Sequence, residues 1–225
     1  MKTISLSHSK LGLLKDCPRC FWLANNKKIA QPRGIFPSLP GGVDRVMKNY
    51  TDQFRGAMIP ELVKDLTGTL WGSVAEINKF RNWRSGLKKS VLVGDSSVDM
   101  IGALDDLVQE MDGTYSPFDT KTKGDVPKDD GAQYYQAQLD IYSLMLAGNG
   151  FPPSGKAYLC YFYPVEATGT GLAFKHALYT LTASPERAID LITKAVGVLS
   201  EPTPPVANIK CEYCNHHAAL TAAGF

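Results

Sequence analysis

Two Cys-x-x-Cys pairs stand at opposite ends of this 225-residue chain, Cys17-Pro18-Arg19-Cys20 and Cys211-Glu212-Tyr213-Cys214. No other feature limits the fold as strongly. Thiol pairs at this spacing are metal-knuckle chemistry, and two pairs supply the four ligands of one closed site. Such a site would clasp the first and last segments together. Buried or redox-active thiol pairs without a metal are the competing reading, and thiolates alone do not separate tetrahedral zinc from an iron–sulfur cluster. The fifth cysteine, Cys160, lies in the apolar run Ala157–Tyr163, which reads as a buried strand with Cys160 as a small core residue.

The length suits a single domain spanning residues 1–225 with a sizeable core. Hydrophobic content of 44% and charged content of 20% are those of an ordinary globular protein. A net charge of +2 does not demonstrate nucleic-acid binding, although it permits a local basic groove. The first eight residues lack the apolar core of a signal peptide, and no apolar run is long enough to span a bilayer. The expected location is therefore the cytoplasm, with no membrane partner.

Hydrophobic spacing and turn signals outline the elements. A short helix is expected over Ser9–Ala24, capped by Ser7 or Ser9 and ending near the first cysteine pair. Gln31–Gly42 reads as a Pro/Gly loop, followed by an amphipathic helix over Val43–Arg55 with Val43, Met47, Tyr50 and Phe54 inward. Residues around Trp71 and Trp83 mix strand-like and helical patterns. Val98–Ile101 reads as a strand leading to Asp105, and Met111-Asp112-Gly113-Thr114 as a tight turn into a returning strand from Tyr115 to Thr120. Lys123–Gly131 is a polar loop. A helix over Gln133–Ala147, strands over Lys156–Tyr163 and Leu172–Leu181, and a helix opening at Ser184-Pro185 with Ile189, Ile192, Val196 and Leu199 inward complete the order. That order predicts an α/β (α+β) fold, a mixed β-sheet with helices on its faces.

The hairpin carries the chemistry. An antiparallel return would bring Asp119 near Asp105, with Lys121 on the same face as Asp119 because side chains repeat every two residues. Magnesium or manganese prefers oxygen ligands, and Asp105, Asp119 and the Thr120 carbonyl can supply them. Such a cation acidifies water and offsets charge on a phosphate, while Lys121 can position that water or stabilise the transition state. Asp-x-Lys alone also occurs by chance at strand ends, and Asp106 reads as a solvated neighbour. On the next helix, Gln138 and Tyr142 lie four apart and so share a face.

Gly102-Ala103-Leu104-Asp105, then Phe118-Asp119-Thr120-Lys121-Thr122, then Gln138 and Tyr142 together resemble the PD-(D/E)xK nuclease superfamily, in particular its RecB-like branch. The resemblance implies a restriction-endonuclease-like fold and a metal-dependent DNA nuclease. Asp105, Asp119 and Lys121 would be its catalytic centre, with Gln138 and Tyr142 orienting the lysine and the scissile strand. RecB-like enzymes usually carry a histidine ligand on the preceding helix. Asp44 stands at that position here, as a substitute carboxylate ligand or as a helix-capping residue. Cys17-Pro18-Arg19-Cys20-Phe21-Trp22 also looks like the N-terminal segment of the CRISPR-associated iron–sulfur exonuclease branch, which implies a [4Fe-4S] cluster on Cys17, Cys20, Cys211 and Cys214. That branch holds one N-terminal and three C-terminal cysteines, whereas this chain has two and two, and structural zinc stays open.

The implied substrate is single-stranded or frayed DNA with free ends. The implied protein partners belong to recombination, repair or CRISPR systems. Phe21, Trp22, Arg19, Lys27, Lys28 and Arg33 could stack and track a single strand, or the two aromatics could be core. A noncatalytic nucleic-acid-binding or scaffold protein that keeps the clasp is the alternative, favoured by Asp44.

Overall fold

A computed structural model describes residues 2–32, 34, 38–59, 65–82, 86–128 and 130–224. Arg33 and Trp83 lie outside the described residues. The chain forms two compact units, one from Met1–Ile35, Ser90–Met100 and Ile189–Phe225, the other from Phe36–Lys89 and Ile101–Ala188.

The first unit opens with β1 (Lys2–Leu6), a strand in which Ile4 and Leu6 alternate with Thr3 and Ser5. β1 runs parallel to β4 (Ser96–Gly102) in a three-stranded sheet of order β1-β4-β3, with β3 at Leu87–Val93. Ile4 pairs with Val98 and Leu6 with Met100, and all four are buried. The expected first helix is two helices, α1 (His8–Asp16) and α2 (Pro18–Trp22), continued by a π turn over Leu23–Lys27. The break falls at Cys17, held extended at φ −158°, because a residue before proline is driven out of the helical region. Ser7 caps α1 by accepting from Lys10 N–H. The unit ends with α6 (Pro185–Ser200) and α7 (Glu212–Ala222). In α6 the inward stripe is Ala188, Ile192, Ala195, Val196 and Leu199; Ile189 falls at its margin and is exposed.

The second unit is a five-stranded sheet of order β2-β5-β6-β7-β8, formed by Gly68–Leu70, Asp106–Glu110, Tyr115–Thr122, Lys156–Thr168 and Gly171–Thr182. β6 and β7 are parallel and the other pairs antiparallel, so the sheet is mixed as expected. The β6–β7 crossover carries α5 (Gln136–Gly148), the connection a parallel pair requires. β7 is buried on both faces. Tyr158, Cys160 and Phe162 join one core with Leu70, Val108 and Phe118, while Ala157, Leu159 and Tyr161 join another with Leu139 and Leu181. That explains the unbroken apolar run around Cys160.

Two expectations change here. Val98–Ile101 is a strand, but it belongs to the other sheet, and the hairpin arms are β5 and β6. The helix α3 (Ser38–Thr51) starts earlier than expected, with Pro40 in its first turn, where a missing N–H costs nothing. Met47, Tyr50 and Phe54 pack on the Phe118 core. α4 (Val74–Arg81) opens with a capping box between Ser73 and Glu76. Among the described residues no helix is long and apolar enough to cross a membrane.

Asp106, expected to be solvated, is buried. Its two oxygens take Arg55 Nη1 and Nη2 at 2.6 Å each, Arg81 Nη2 adds a contact at 3.0 Å, and both guanidiniums also reach Asp52. Asp106→Ala is expected to leave two part-buried guanidiniums short of a partner and to cost about 3–5 kcal/mol. Urea unfolding at neutral pH measures it; a loss below 1 kcal/mol would show the network to be ornamental.

Candidate active site

Register builds the site. Asp106 pairs with Phe118, so one residue before β5 Asp105 comes opposite Asp119 on β6. Asp105 Oδ2 accepts the Thr120 N–H at 3.1 Å, and Arg81 Nε holds the Asp105 carbonyl at 2.8 Å. The turn behind this register is the one the sequence indicates. Gly113 takes φ 82° and Asp112 Oδ1 accepts the Thr114 N–H at 2.9 Å.

Asp119 is 1% exposed. Its Oδ1 accepts from Gln138 Nε2 at 2.7 Å and its Oδ2 pairs with the Lys121 ammonium. Burial, and then the charge of Asp105, push the Asp119 carboxyl up to about 7 against the pull of Lys121 and Lys48. Burial works against the Lys121 ammonium, but Asp119 and Asp105 outweigh it and raise its pKa, so the group stays charged. Its Nζ also lies 4.9 Å from the Tyr135 ring centroid.

The helix α5 presents Gln138 toward Asp119. Its amide donates to Asp119 and, at 2.9 Å, to the Tyr142 hydroxyl, and no hydrogen bond from it to Lys121 is among the described contacts. Tyr142 is 2% exposed and props Gln138 from within the core. Asp44 sits in the second turn of α3, which removes the capping role, since that effect is confined to the first turn. Its Oδ2 takes Lys48 Nζ at 2.8 Å.

Lys48 belongs to the candidate site without a motif to announce it. Its ammonium bridges Asp44 Oδ2 and Asp105 Oδ1, both at 2.8 Å. Burial opposes its charge, but Asp105 and Asp44 prevail and raise its pKa. The one available signal was its place four residues after Asp44 on the same helical face. Arg81, which clamps the Asp105 backbone, left no sequence signal.

These donors suit a hard divalent cation. Two carboxylates face each other, one of them buried and held back from ionising by the other, which is the electrostatic demand a cation would meet. Asp105 and Asp119 would hold it, and both Asp105 and Asp44 would first have to release Lys48.

Cys17, Cys20, Cys211 and Cys214 come together in the first unit, three of them buried. Asn208 Nδ2 donates to the Asp16 carbonyl at 2.9 Å beside them. Phe21 and Trp22 are core residues, with Trp22 Nε1 on the Glu201 carbonyl at 3.0 Å, so neither is a stacking platform. Lys27 covers the Trp22 ring at 5.7 Å.

Residues 42–219 match the family model of the PD-(D/E)XK nuclease superfamily. The chain belongs to that superfamily, a group of metal-dependent nucleases, and the matched span contains the whole constellation from Asp44 to Tyr142. No curated protein matches the chain. Among solved structures it is similar to one described as "Crystal structure of SSO0001", with 15% identity, 95% of this chain and 84% of the other covered, and a TM-score of 0.44.

The Asp119 shift has a defined sign. With the folded pKa raised from 3.8 to about 7, the unfolded chain ionises first, so stability is lost as pH rises through that window. In chelator, the melting temperature of the wild type should fall over this range relative to Asp119→Asn, and manganese should reverse the fall. Parallel profiles for the two proteins would refute the shift.

Proposed function

We propose that the chain is a magnesium- or manganese-dependent deoxyribonuclease that hydrolyses phosphodiester bonds as an exonuclease or end-processing enzyme on single-stranded or frayed DNA. The observation that carries this reading is Asp105, Asp119, Lys121 and Gln138 converging at one end of the β5–β6 hairpin in a chain of this superfamily. Asp105 and Asp119, with the Thr120 carbonyl and Asp44, would hold a divalent cation, which when bound would supply acidified water and charge neutralisation at the phosphate. Lys121, held charged beside Asp119, stabilises the negative charge that develops in in-line attack. Gln138 fixes the Asp119 carboxylate so that its second oxygen stays aimed at Lys121. Lys48 must yield Asp105 to a cation, and its ammonium is then free for a phosphate oxygen.

The single-stranded preference draws on a cleft of about 370 Å³ along α3, lined by Met47, Tyr50, Phe162, Phe174, Lys175 and His176. Rings with two basic side chains suit an unpaired base and its phosphate. The four cysteines supply a structural metal centre apart from this chemistry, iron–sulfur by family resemblance or zinc by thiolate chemistry. Cysteines kept for a metal, with no disulfide among them, fit the cytoplasm. Protein partners would come from recombination, repair or CRISPR systems.

Purified protein is incubated with end-labelled single- and double-stranded DNA in manganese. Wild type should cleave, Asp119→Ala should not, and Lys121→Ala should lose at least about 10²-fold in rate. Equal residual cleavage in all three would sink the enzyme assignment. A second reading, a noncatalytic nucleic-acid-binding or scaffold protein, draws on Lys48, whose ammonium covers Asp105. On the nuclease reading Lys48→Ala should bind manganese several-fold more tightly by titration calorimetry, because a competing cation is gone, while its cleavage rate falls. DNA binding by wild type without cleavage, in any divalent metal, would favour the second reading.

A further inference from the structure

The relatives invoked by the cysteine pattern imply a four-iron cluster, and the thiols of this chain are not spaced for one. Cys20 Sγ lies 3.5 Å from Cys214 Sγ and 3.7 Å from Cys211 Sγ, and Cys17 Sγ lies 3.8 Å from Cys214 Sγ. All four ligand atoms fall within 4.8 Å of one another. A single ion with metal–sulfur bonds of 2.3 Å sets its four sulfurs on a tetrahedron of edge about 3.8 Å. In a cubane each thiolate binds a different iron, and four irons with their bridging sulfides fill the space between. The ligand sulfurs must then stand well apart, whereas here none is more than 4.8 Å from another. They are equally unlike disulfides, whose sulfurs are about 2.05 Å apart.

The backbone repeats the same device twice. Cys17 and Cys211 each precede a helix in extended conformation, at φ −158°, ψ 107° and φ −75°, ψ 104°, with no side-chain cap bond. Each accepts the first helical bond through its carbonyl, from Phe21 N–H and Asn215 N–H respectively, both at 3.0 Å. Cys20 and Cys214 follow three residues on, in the first turn of α2 and α7. Two matching knuckles therefore each direct two sulfurs at one point, and Leu13 and Ala207 pack against the group. Trp22 on the Glu201 carbonyl and Asn208 on the Asp16 carbonyl tie the same two segments on either side, at 3.0 and 2.9 Å.

We infer that Cys17, Cys20, Cys211 and Cys214 hold one tetrahedral zinc ion, not a four-iron cluster. Zinc suits four thiolates without geometric preference of its own, and a closed four-sulfur shell leaves no open position for catalysis. The ion is a structural staple, and it stands whether or not the chain cleaves DNA.

The full-length protein is expressed with zinc and iron both supplied and purified without oxygen. Elemental analysis should return one zinc per chain, no acid-labile sulfide and no visible absorption. Replacing the zinc by cobalt should produce the intense visible bands of tetrahedral thiolate coordination, and chelation should lower the melting temperature. Cys214→Ser and Cys20→Ser should each lower bound zinc at least several-fold. Four irons with sulfide, one iron without sulfide, or a metal-free protein with unchanged melting would each overturn the inference. The wild-type measurements decide the matter even if a variant fails to fold.

Discussion

Negative charge crowded into a buried corner is the constraint around which the five-stranded sheet arranges its functional end. Asp105 and Asp119 face each other across β5 and β6, and Asp119 has almost no access to water. Buried this deeply, the Asp119 carboxylate is disfavoured unless cations stand close by. Lys121 meets Asp119 from its own strand, and Lys48 meets Asp105 and Asp44 from α3. Three carboxylates still stand against two ammonium groups, so a divalent cation would find an excess of negative charge. The next residue, Asp106, solves the same problem permanently with Arg55 and Arg81. Adjacent aspartates thus differ in their surroundings: Asp106 is locked between two guanidiniums, whereas Asp105 meets a single ammonium.

The Arg81 side chain links the two. One guanidinium nitrogen contacts Asp106, two reach Asp52, and Nε holds the Asp105 carbonyl. The position of Asp105 is thus inherited from a buried ion network and from β5–β6 pairing, both rigid compared with a loop. Gln138 does the equivalent for Asp119 from α5, steadied by the buried Tyr142 hydroxyl. Preorganisation of this kind fixes the two carboxylates in place before any ligand arrives.

Much of this was legible from residue order because it is local. The Asp112-Gly113 turn, the two-residue alternation that aligns Asp119 with Lys121, the four-residue step from Gln138 to Tyr142 and the Ser184-Pro185 helix start all depend on near neighbours. The long apolar run holding Cys160 was also readable, since burial on both faces erases alternation. What escaped was set by distant partners. Asp106 looks like any polar residue until Arg55 and Arg81 arrive from other elements. β4 reads as one arm of the hairpin until β1, nearly a hundred residues earlier, claims it as a partner. Ile189 fits the inward stripe of α6 by spacing and misses it by the fractional turn that 3.6-residue periodicity leaves over.

By itself the sequence determined which chemistry was present: a hairpin with two carboxylates and a lysine, a glutamine and tyrosine one helical turn apart, and four thiols in two pairs at the chain ends. Those are matters of residue type and short spacing, which covalent geometry and local backbone preferences translate directly. Tertiary structure alone decided how that chemistry is distributed. It set Lys48 on Asp44 and Asp105, withdrew Tyr142 and Asp106 from solvent, and drew the thiols within 4.8 Å of one another. Burial, charge pairing and ligand spacing are properties of atoms brought together from remote positions. No local pattern encodes the distance between them.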